Sequence, residues 1–455
     1  MATAADVKAV QDLRARLRGS VLIPGDSDYE PARHVFNGMI DKRPAVIVRC
    51  LGAGDVMASV VFARANDLPI AVRGGGHNTA GHGTCAGGLL VDLTRMRSVR
   101  VDPARQVAWA DPGCTYTDFD VECQAHGLAT TGGTVASTGI AGLTLGGGLG
   151  FLMGRYGLAC DNVLGVDLVL ADGRLLTANT DENQDLYWAV RGGGGNFGVV
   201  TSFQFQLHAV PELFGGLIVW PAARTREVLG VFRDLTMIAT DELSAAFAIV
   251  TLPDDAQRVA LVAVCYTGPA SDGERAVQPF RALGEAILDT VQTTTYLEVQ
   301  RLFAEVPFGL RNYWKGHFIR EMTDEAVDAT VECAETITSD HSAILIEAPH
   351  GAASRVKDEE TAYSQRDKRY NMSALAIWEG AADDDRHIGW ARRYAKAIEP
   401  LSRGAAYVNY LEADAKREQV KAAYGDAKFR RLSALKAKYD PTNIFRFNQN
   451  IPPAA

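Results

Sequence analysis

Apolar and polar positions run along this chain in short stretches whose period shifts between two and about 3.6, as interleaved strands and helices require. Residues 45–50 (AVIVRC) and 69–73 (PIAVR) predict strands, with a helix over 55–66 between them. Residues 98–110 predict a hairpin, and 115–126 a helix opened by the Thr115 hydroxyl. Residues 163–178 read as two strands joined at Asp172-Gly173. Beyond Pro211 the predicted strands lengthen: 217–220, 243–252, 259–266, 313–320, 343–347, 372–378 and 405–411, with helices over 224–239 and 386–398 among them. From Asp414 the chain is helical and charged, then closes in an apolar, amide-rich stretch over 439–451 that has no disorder signature and should dock back on the body. The pattern is α+β. It divides into a first part, 1–210, a second part, 211–412, built on a large and mostly antiparallel sheet with helices on one face, and a return, 413–455.

Glycine changes this picture. The chain has 44, packed most densely between residues 73 and 198, where backbone must come close to something. Arg73-Gly-Gly-Gly-His-Asn-Thr-Ala-Gly-His-Gly83 follows a predicted strand, and successive small residues there let N–H groups curl around an anion such as phosphate. A second such region spans 132–150 and supplies hydroxyls as well. Two backbone cradles in one region suit a long diphosphate cofactor lying between them.

Other chemistries fall away. Gly193-x-Gly195-x-x-Gly198 matches a dinucleotide fingerprint literally, but the alternating residues 199–206 that follow predict a strand where that fingerprint needs a helix. No Gly-Lys-Ser/Thr follows a glycine run and no Gly-x-Ser-x-Gly occurs, so neither a P-loop nor a nucleophile elbow is expected. Seven cysteines without a Cys-x-x-Cys pair predict buried thiols rather than disulfides or zinc, and no metal site is expected. A net charge of -9 argues against nucleic acid or an anionic membrane surface as partner, which leaves a small molecule. No bilayer-spanning run and no secretion signal stand out, so a cytoplasmic location is expected.

Four stretches in order, Arg73-Gly-Gly-Gly-His77-Asn, Gly146-Gly-Gly-Leu-Gly, Tyr156-Gly-Leu-Ala-Cys-Asp-Asn162 and Trp188-Ala-Val-Arg-Gly-Gly-Gly-Gly-Asn-Phe-Gly198, resemble the FAD-linked oxidases of the vanillyl-alcohol oxidase superfamily. With Tyr407-Val-Asn-Tyr410, Tyr439-Asp-Pro-x-Asn443 and Phe445-Arg-Phe-Asn-Gln-Asn-Ile451, the chain is similar throughout to the berberine-bridge-enzyme-like branch. The resemblance implies an FAD domain made from both ends of the chain and a central substrate domain. It implies His77 as the residue bonded to the flavin, and it places Arg73, Gly74, Gly75, Gly76, Asn78, Gly81, Ser137, Thr138, Gly142, Gly147, Gly198, Val200, Asn448 and Asn450 along the cofactor. His82 matches no family role and reads as a loop residue. Val135 stands where two-link relatives carry a second flavin-bonded cysteine, so a single link is expected.

Hydride transfer to a flavin often needs a base for a hydroxyl proton. By resemblance Tyr410 is the candidate; on a strand, Tyr407 would face the other way. Glu379, ending the predicted strand 372–378, is a second candidate, and Thr138 falls where the family governs oxygen access to the flavin. Tyr313, Trp314 and His317 are candidates for the pocket wall. The implied activity is oxidation of an alcohol, a sugar hydroxyl or a phenolic natural product, with oxygen reduced to hydrogen peroxide. An amine oxidase like those acting on hydroxynicotine is the alternative, and a non-catalytic flavin carrier a third, expected to have its pocket plugged.

Overall fold

In the computed structural model, residues 7–252, 256–303, 306–367, 369–402 and 404–454 are described. The first sheet orders Ser20–Leu22, Val46–Arg49, Leu89–Asp92 and Ile70–Arg73, the last three strands running parallel. The helix Ala53–Ala65 joins two of these strands and buries Val56, Val60 and Ala63 against them. The second sheet is antiparallel and orders Val99–Asp102, Val107–Ala110, Val199–Gln206, Val163–Val169 and Leu175–Asn179. The strand after the GxGxxG sequence is therefore real, and its alternation is matched by burial along 202–206. The helix Tyr116–Gln124 opens as expected: the Thr115 hydroxyl accepts from the Asp118 N–H, and Asp118 accepts in return from the Thr115 N–H at 2.8 Å.

The third sheet is the large one, eight strands paired antiparallel. Its central strands are apolar at nearly every position, Arg258–Tyr266 above all, because both faces are covered. One face packs on the helices Thr225–Met237, Ala270–Arg281, Asp324–Glu335 and Asp384–Ser402 around a core that includes Trp220, Phe232, Trp378 and Trp390. The other face turns toward the first two sheets. Alternation along the strands Ala343–Glu347 and Tyr370–Trp378 puts Ile344, Ile346, Ala374 and Ala376 on the helical side, and leaves Leu345, Glu347, Leu375 and Ile377 on the opposite side.

The tail docks as its composition predicted. Ile70 N–H donates to the Ile444 carbonyl at 3.1 Å, and Ile451 N–H to Asn196 Oδ1 at 3.0 Å. The buried Lys436 ammonium fixes the junction through Asp440 (2.5 Å) and the carbonyls of Asn196 (2.7 Å) and Phe445 (2.9 Å). All seven cysteines are buried thiols, including Cys160. Among the described residues no helix is long and apolar enough to cross a membrane.

One predicted element is absent. Residues 405–411 are not a strand: Val408–Tyr410 is a single 3-10 turn, closed by the Tyr410 N–H donating to the Tyr407 carbonyl at 2.9 Å. The Tyr407 hydroxyl explains why, since it accepts the amides of Gly148 (3.0 Å) and Leu149 (3.4 Å) and so ties the segment to the glycine loop instead of to the sheet edge.

Candidate active site

A cavity of about 320 Å³ lies between the glycine loops and the face of the large sheet opposite its helices. One wall is backbone. Arg73 to Asn78, Thr138, Gly139, Gly142, Gly194, Gly195, Asn196 and Gly198 line it, and the loops approach so closely that a Cβ on Gly75 would sit 2.6 Å from Gly139 Cα. Gly194 N–H donates to the Leu145 carbonyl at 2.8 Å, which seats the third loop on the helix Ile140–Leu145. The other wall is made of side chains: Trp314, Leu345, Glu347, Leu375 and Ile377 from the sheet, with Tyr407 and Tyr410 from the turn.

Most residues expected to hold the cofactor line this cavity: His77, Gly74, Gly75, Gly76, Asn78, Thr138, Gly142, Gly198, Val200 and Asn448. Arg73 lines it too, but its guanidinium is committed to Asp92 (3.2 and 2.6 Å) and the His34 carbonyl (2.8 Å), so it braces the loop. Four others need correction. Ser137 and Asn450 do not line the cavity, and neither do Gly81 and Gly147, where a Cβ would meet Ile40 and Tyr363; Asn450 Oδ1 is buried without a hydrogen-bond partner. Glu379 is corrected as well: its side chain is 79% exposed and faces His341 at 3.5 Å on the surface. His317 and Tyr313 do not reach the cavity, whereas Trp314 does. Val135, which by resemblance was expected to replace a second linking cysteine, lines the wall and carries no nucleophilic atom.

His77 stands beside the sheet wall. Its ring stacks on Phe36 at 4.1 Å and 14°, with Phe308 and Trp314 edge-on at 6.4 Å each. Burial lowers its pKa to about 4, so the imidazole is neutral and keeps a free nitrogen lone pair. His82, read from sequence as a loop residue, also lines the cavity. Burial brings its pKa to about 4 as well, and its buried Nε2 has no hydrogen-bond partner. The Tyr424 hydroxyl and Asn448 Oδ1 are in the same position. Each such atom costs ~1–3 kcal/mol until it is paired. Three unpaired polar atoms around a backbone cradle fit a large polar cofactor, as FAD is.

The tyrosines are both at the cavity, contrary to the strand-based expectation, with ring centroids 5.0 Å apart. Tyr407 spends its hydroxyl on the loop amides, while Tyr410, edge-on to Trp314 at 5.5 Å, stands beside Glu347, near enough for the two groups to shift each other's titration. Sequence reasoning missed Glu347. It is buried, accepts from Asn371 Nδ2 at 2.8 Å, and its pKa is raised to about 7 by burial against the pull of Asn371 and Tyr410. Burial and the Glu347 carboxylate raise the Tyr410 pKa well above that of a free phenol, so Tyr410 stays protonated. The one signal was a carboxylate ending a strand, Ala343–Glu347, whose other residues are apolar on both faces.

Comparison with known proteins agrees with this geometry. Residues 44–179 match the family described as FAD binding domain, and residues 406–452 the family described as berberine and berberine like. The (R)-6-hydroxynicotine oxidase of Paenarthrobacter nicotinovorans is 34% identical over 96% of this chain and 97% of its own. The crystal structure of 6-hydroxy-D-nicotine oxidase from Arthrobacter nicotinovorans superposes with a TM-score of 0.87 at 31% identity, covering 96% of this chain and 98% of that one. A berberine-bridge-enzyme-like protein of Physcomitrella patens gives 0.87 at 26% identity, over 98% and 99%. The chain belongs to the berberine-bridge-enzyme-like branch of the vanillyl-alcohol oxidase superfamily and is an FAD-linked oxidoreductase.

Proposed function

We propose that this enzyme oxidises a compact, ring-bearing substrate at a carbon carrying a hydroxyl, and that the proton released reaches Glu347 through Tyr410. FAD, when bound, supplies the hydride acceptor and hands the electrons to oxygen, giving hydrogen peroxide. Residues 1–210 with 413–455 hold the cofactor and 211–412 the substrate. His77 carries the single covalent link, its neutral imidazole serving as nucleophile. Asn78, the glycines of the backbone wall, His82 and Asn448 hold the rest. Thr138, on the same wall, is small enough to leave oxygen a path.

The observation that carries the reading is that Tyr410 and the buried carboxyl Glu347 stand together on the wall facing the glycines, close enough for each to shift the other's titration. A protonated phenol cannot take a proton without losing its own. Tyr410 therefore accepts from the substrate hydroxyl while donating to Glu347, which at about pH 7 is half ionised and able to receive it. The apolar side chains Trp314, Leu345, Leu375 and Ile377 narrow the substrate. A sugar would leave several hydroxyls unpaired against them, at ~1–3 kcal/mol each. That wall fits a compact apolar ring.

A second reading has its own support. No cation is among the groups that set the titration of Glu347, so its carboxylate is free to pair with a substrate ammonium, and the 34%-identical relative acts on hydroxynicotine. Anaerobic bleaching with matched aryl alcohols, aryl amines and oligosaccharides, followed by admission of air, separates these readings. Oligosaccharides reducing the flavin fastest would refute the ring-bearing assignment. Colour lost from acid-precipitated protein would refute the covalent link.

A further inference from the structure

We propose that Phe36 is the positioning residue for attachment of the cofactor to His77: it fixes the imidazole plane and keeps water from the ring face, so that a nitrogen edge meets the flavin. The proposal rests on the His77 link. Three contacts from this one residue converge on the attachment point. The Phe36 ring, fully buried, covers one face of the imidazole at 4.1 Å and 14°. Its N–H donates to the Gly76 carbonyl at 3.1 Å, immediately before His77. Its carbonyl accepts from the Gly309 N–H at 3.0 Å, which ties the loop to the edge strand of the large sheet.

The neighbours of Phe36 complete a cage. The buried Asn37 donates to the carbonyls of Thr79 (2.6 Å) and Asn312 (2.8 Å) and accepts from the Asn312 N–H at 2.9 Å, so loop and sheet edge are held in one register. Phe308 and Trp314 stand edge-on to Phe36 at 5.4 and 6.1 Å and close two more sides. A neutral imidazole is free to turn about its own side-chain bonds. Face-to-face contact removes that freedom before the cofactor arrives, and pre-orientation of reacting groups is worth large factors in rate. In the attachment step a bond forms between a ring nitrogen of His77 and the methyl carbon at flavin position 8, while a methyl C–H and the ring N–H break. The two electrons and two protons pass to the flavin ring system, and oxygen then removes them as hydrogen peroxide.

The test separates attachment from binding. Phe36→Leu and Phe36→Met keep both backbone hydrogen bonds and remove the ring. Full-length protein from riboflavin-limited cells is supplied with FAD in air, and total and acid-stable flavin are followed in time beside the melting temperature. We expect both variants to bind FAD within twofold of wild type and to attach it about 10–100-fold more slowly, reaching the same final yield. Attachment at the wild-type rate in either folded variant overturns the proposal. So does a loss of total flavin and melting temperature with an unchanged attachment rate of the bound fraction, which would make Phe36 ordinary packing. Wild-type protein that never becomes acid-stable, or that carries flavin on a peptide other than the one with His77, refutes the link itself and the proposal with it.

Discussion

The two walls of the cavity are made differently. The wall proposed to hold the cofactor is backbone: close approach of loops forces glycine at fixed places, as where Gly75 and Gly139 leave no room for a Cβ. The substrate wall is side chain, set on a rigid sheet whose hydrogen bonds are indifferent to what the side chains are. Such a wall is open to change of chemistry without change of fold. Cofactor identity is therefore fixed by many residues and substrate identity by few.

The sharpest break in that comparison comes from the substrate wall. Glu347→Gln and Tyr410→Phe each remove one member of the proposed proton path while keeping size and shape. Each should slow anaerobic flavin reduction by a hydroxyl substrate ~10²–10⁴-fold, or roughly 3–5 kcal/mol of barrier, with flavin content unchanged. If the two act in one path, the double variant should be little worse than the worse single one. With an amine substrate Tyr410→Phe should cost only a few-fold.

The matching change on the cofactor wall is Gly139→Ala. Its Cβ would lie 2.5 Å from Gly75 N and 2.6 Å from Gly75 Cα, backbone that cannot yield without moving the loop. Overpacking of this kind costs ~1–3 kcal/mol. The expected result is weaker FAD retention and a lower melting temperature, with wild-type reduction rate in whatever fraction keeps its flavin. A slow but fully flavinylated protein would contradict the division of labour between the walls.

This contrast also explains what could be read from sequence. Backbone function selects residue type, so runs of glycine around His77 and before Phe197 announced the cofactor side, and strand periodicity announced the large sheet. Side-chain function on the sheet left little trace. Glu347 is one acid at the end of an apolar strand, a place where most acids are simply solvated, and only the sheet's double coverage makes it a buried carboxyl. Tyr410 was legible as a candidate, but Tyr407 was expected to face away from it, because a side-chain hydrogen bond to loop amides, not β-propensity, decided their conformation. His82 lies inside the glycine-rich stretch 73–83, but nothing there sets it apart from a loop residue; its place on the cavity, with Nε2 buried and unpaired, appears only in the structure.

A subtler effect should appear with pH. The Glu347 carboxyl is raised from its usual range to about 7, so its proton-accepting form grows in as pH rises through that value. Anaerobic reduction by a hydroxyl substrate should increase roughly tenfold from pH 6 to 8 if a single group near 7 controls it. The same shift has a stability sign. A folded-state pKa above the unfolded one favours the folded state at low pH, and that stabilisation is lost between the ordinary carboxyl range and about 7. Glu347→Gln should flatten the rate profile and remove one part of the stability slope, the rest belonging to the buried Asp120 and Glu412 carboxyls, which burial also raises to about 7. A rate inflection that survives in Glu347→Gln assigns it to another group.

The smallest expected effect is none, and it tests where the substrate wall ends. Glu379 follows the strand Tyr370–Trp378 directly, so by sequence it is as good a carboxylate as Glu347. The two differ in position on the sheet: Glu347 points from the face opposite the helices into the cavity, whereas Glu379 lies past the strand end, with its side chain 79% exposed and a histidine of the surface, His341, 3.5 Å away. An exposed pair of this kind is weakly coupled and screened by salt. Glu379→Gln should therefore leave flavin content, anaerobic reduction, reoxidation and the pH inflection within twofold of wild type on any substrate. A loss of reduction rate beyond about tenfold would extend the reacting site past the end of that strand, and the cavity bounded by Trp314, Leu345, Glu347, Leu375 and Ile377 would no longer account for the chemistry.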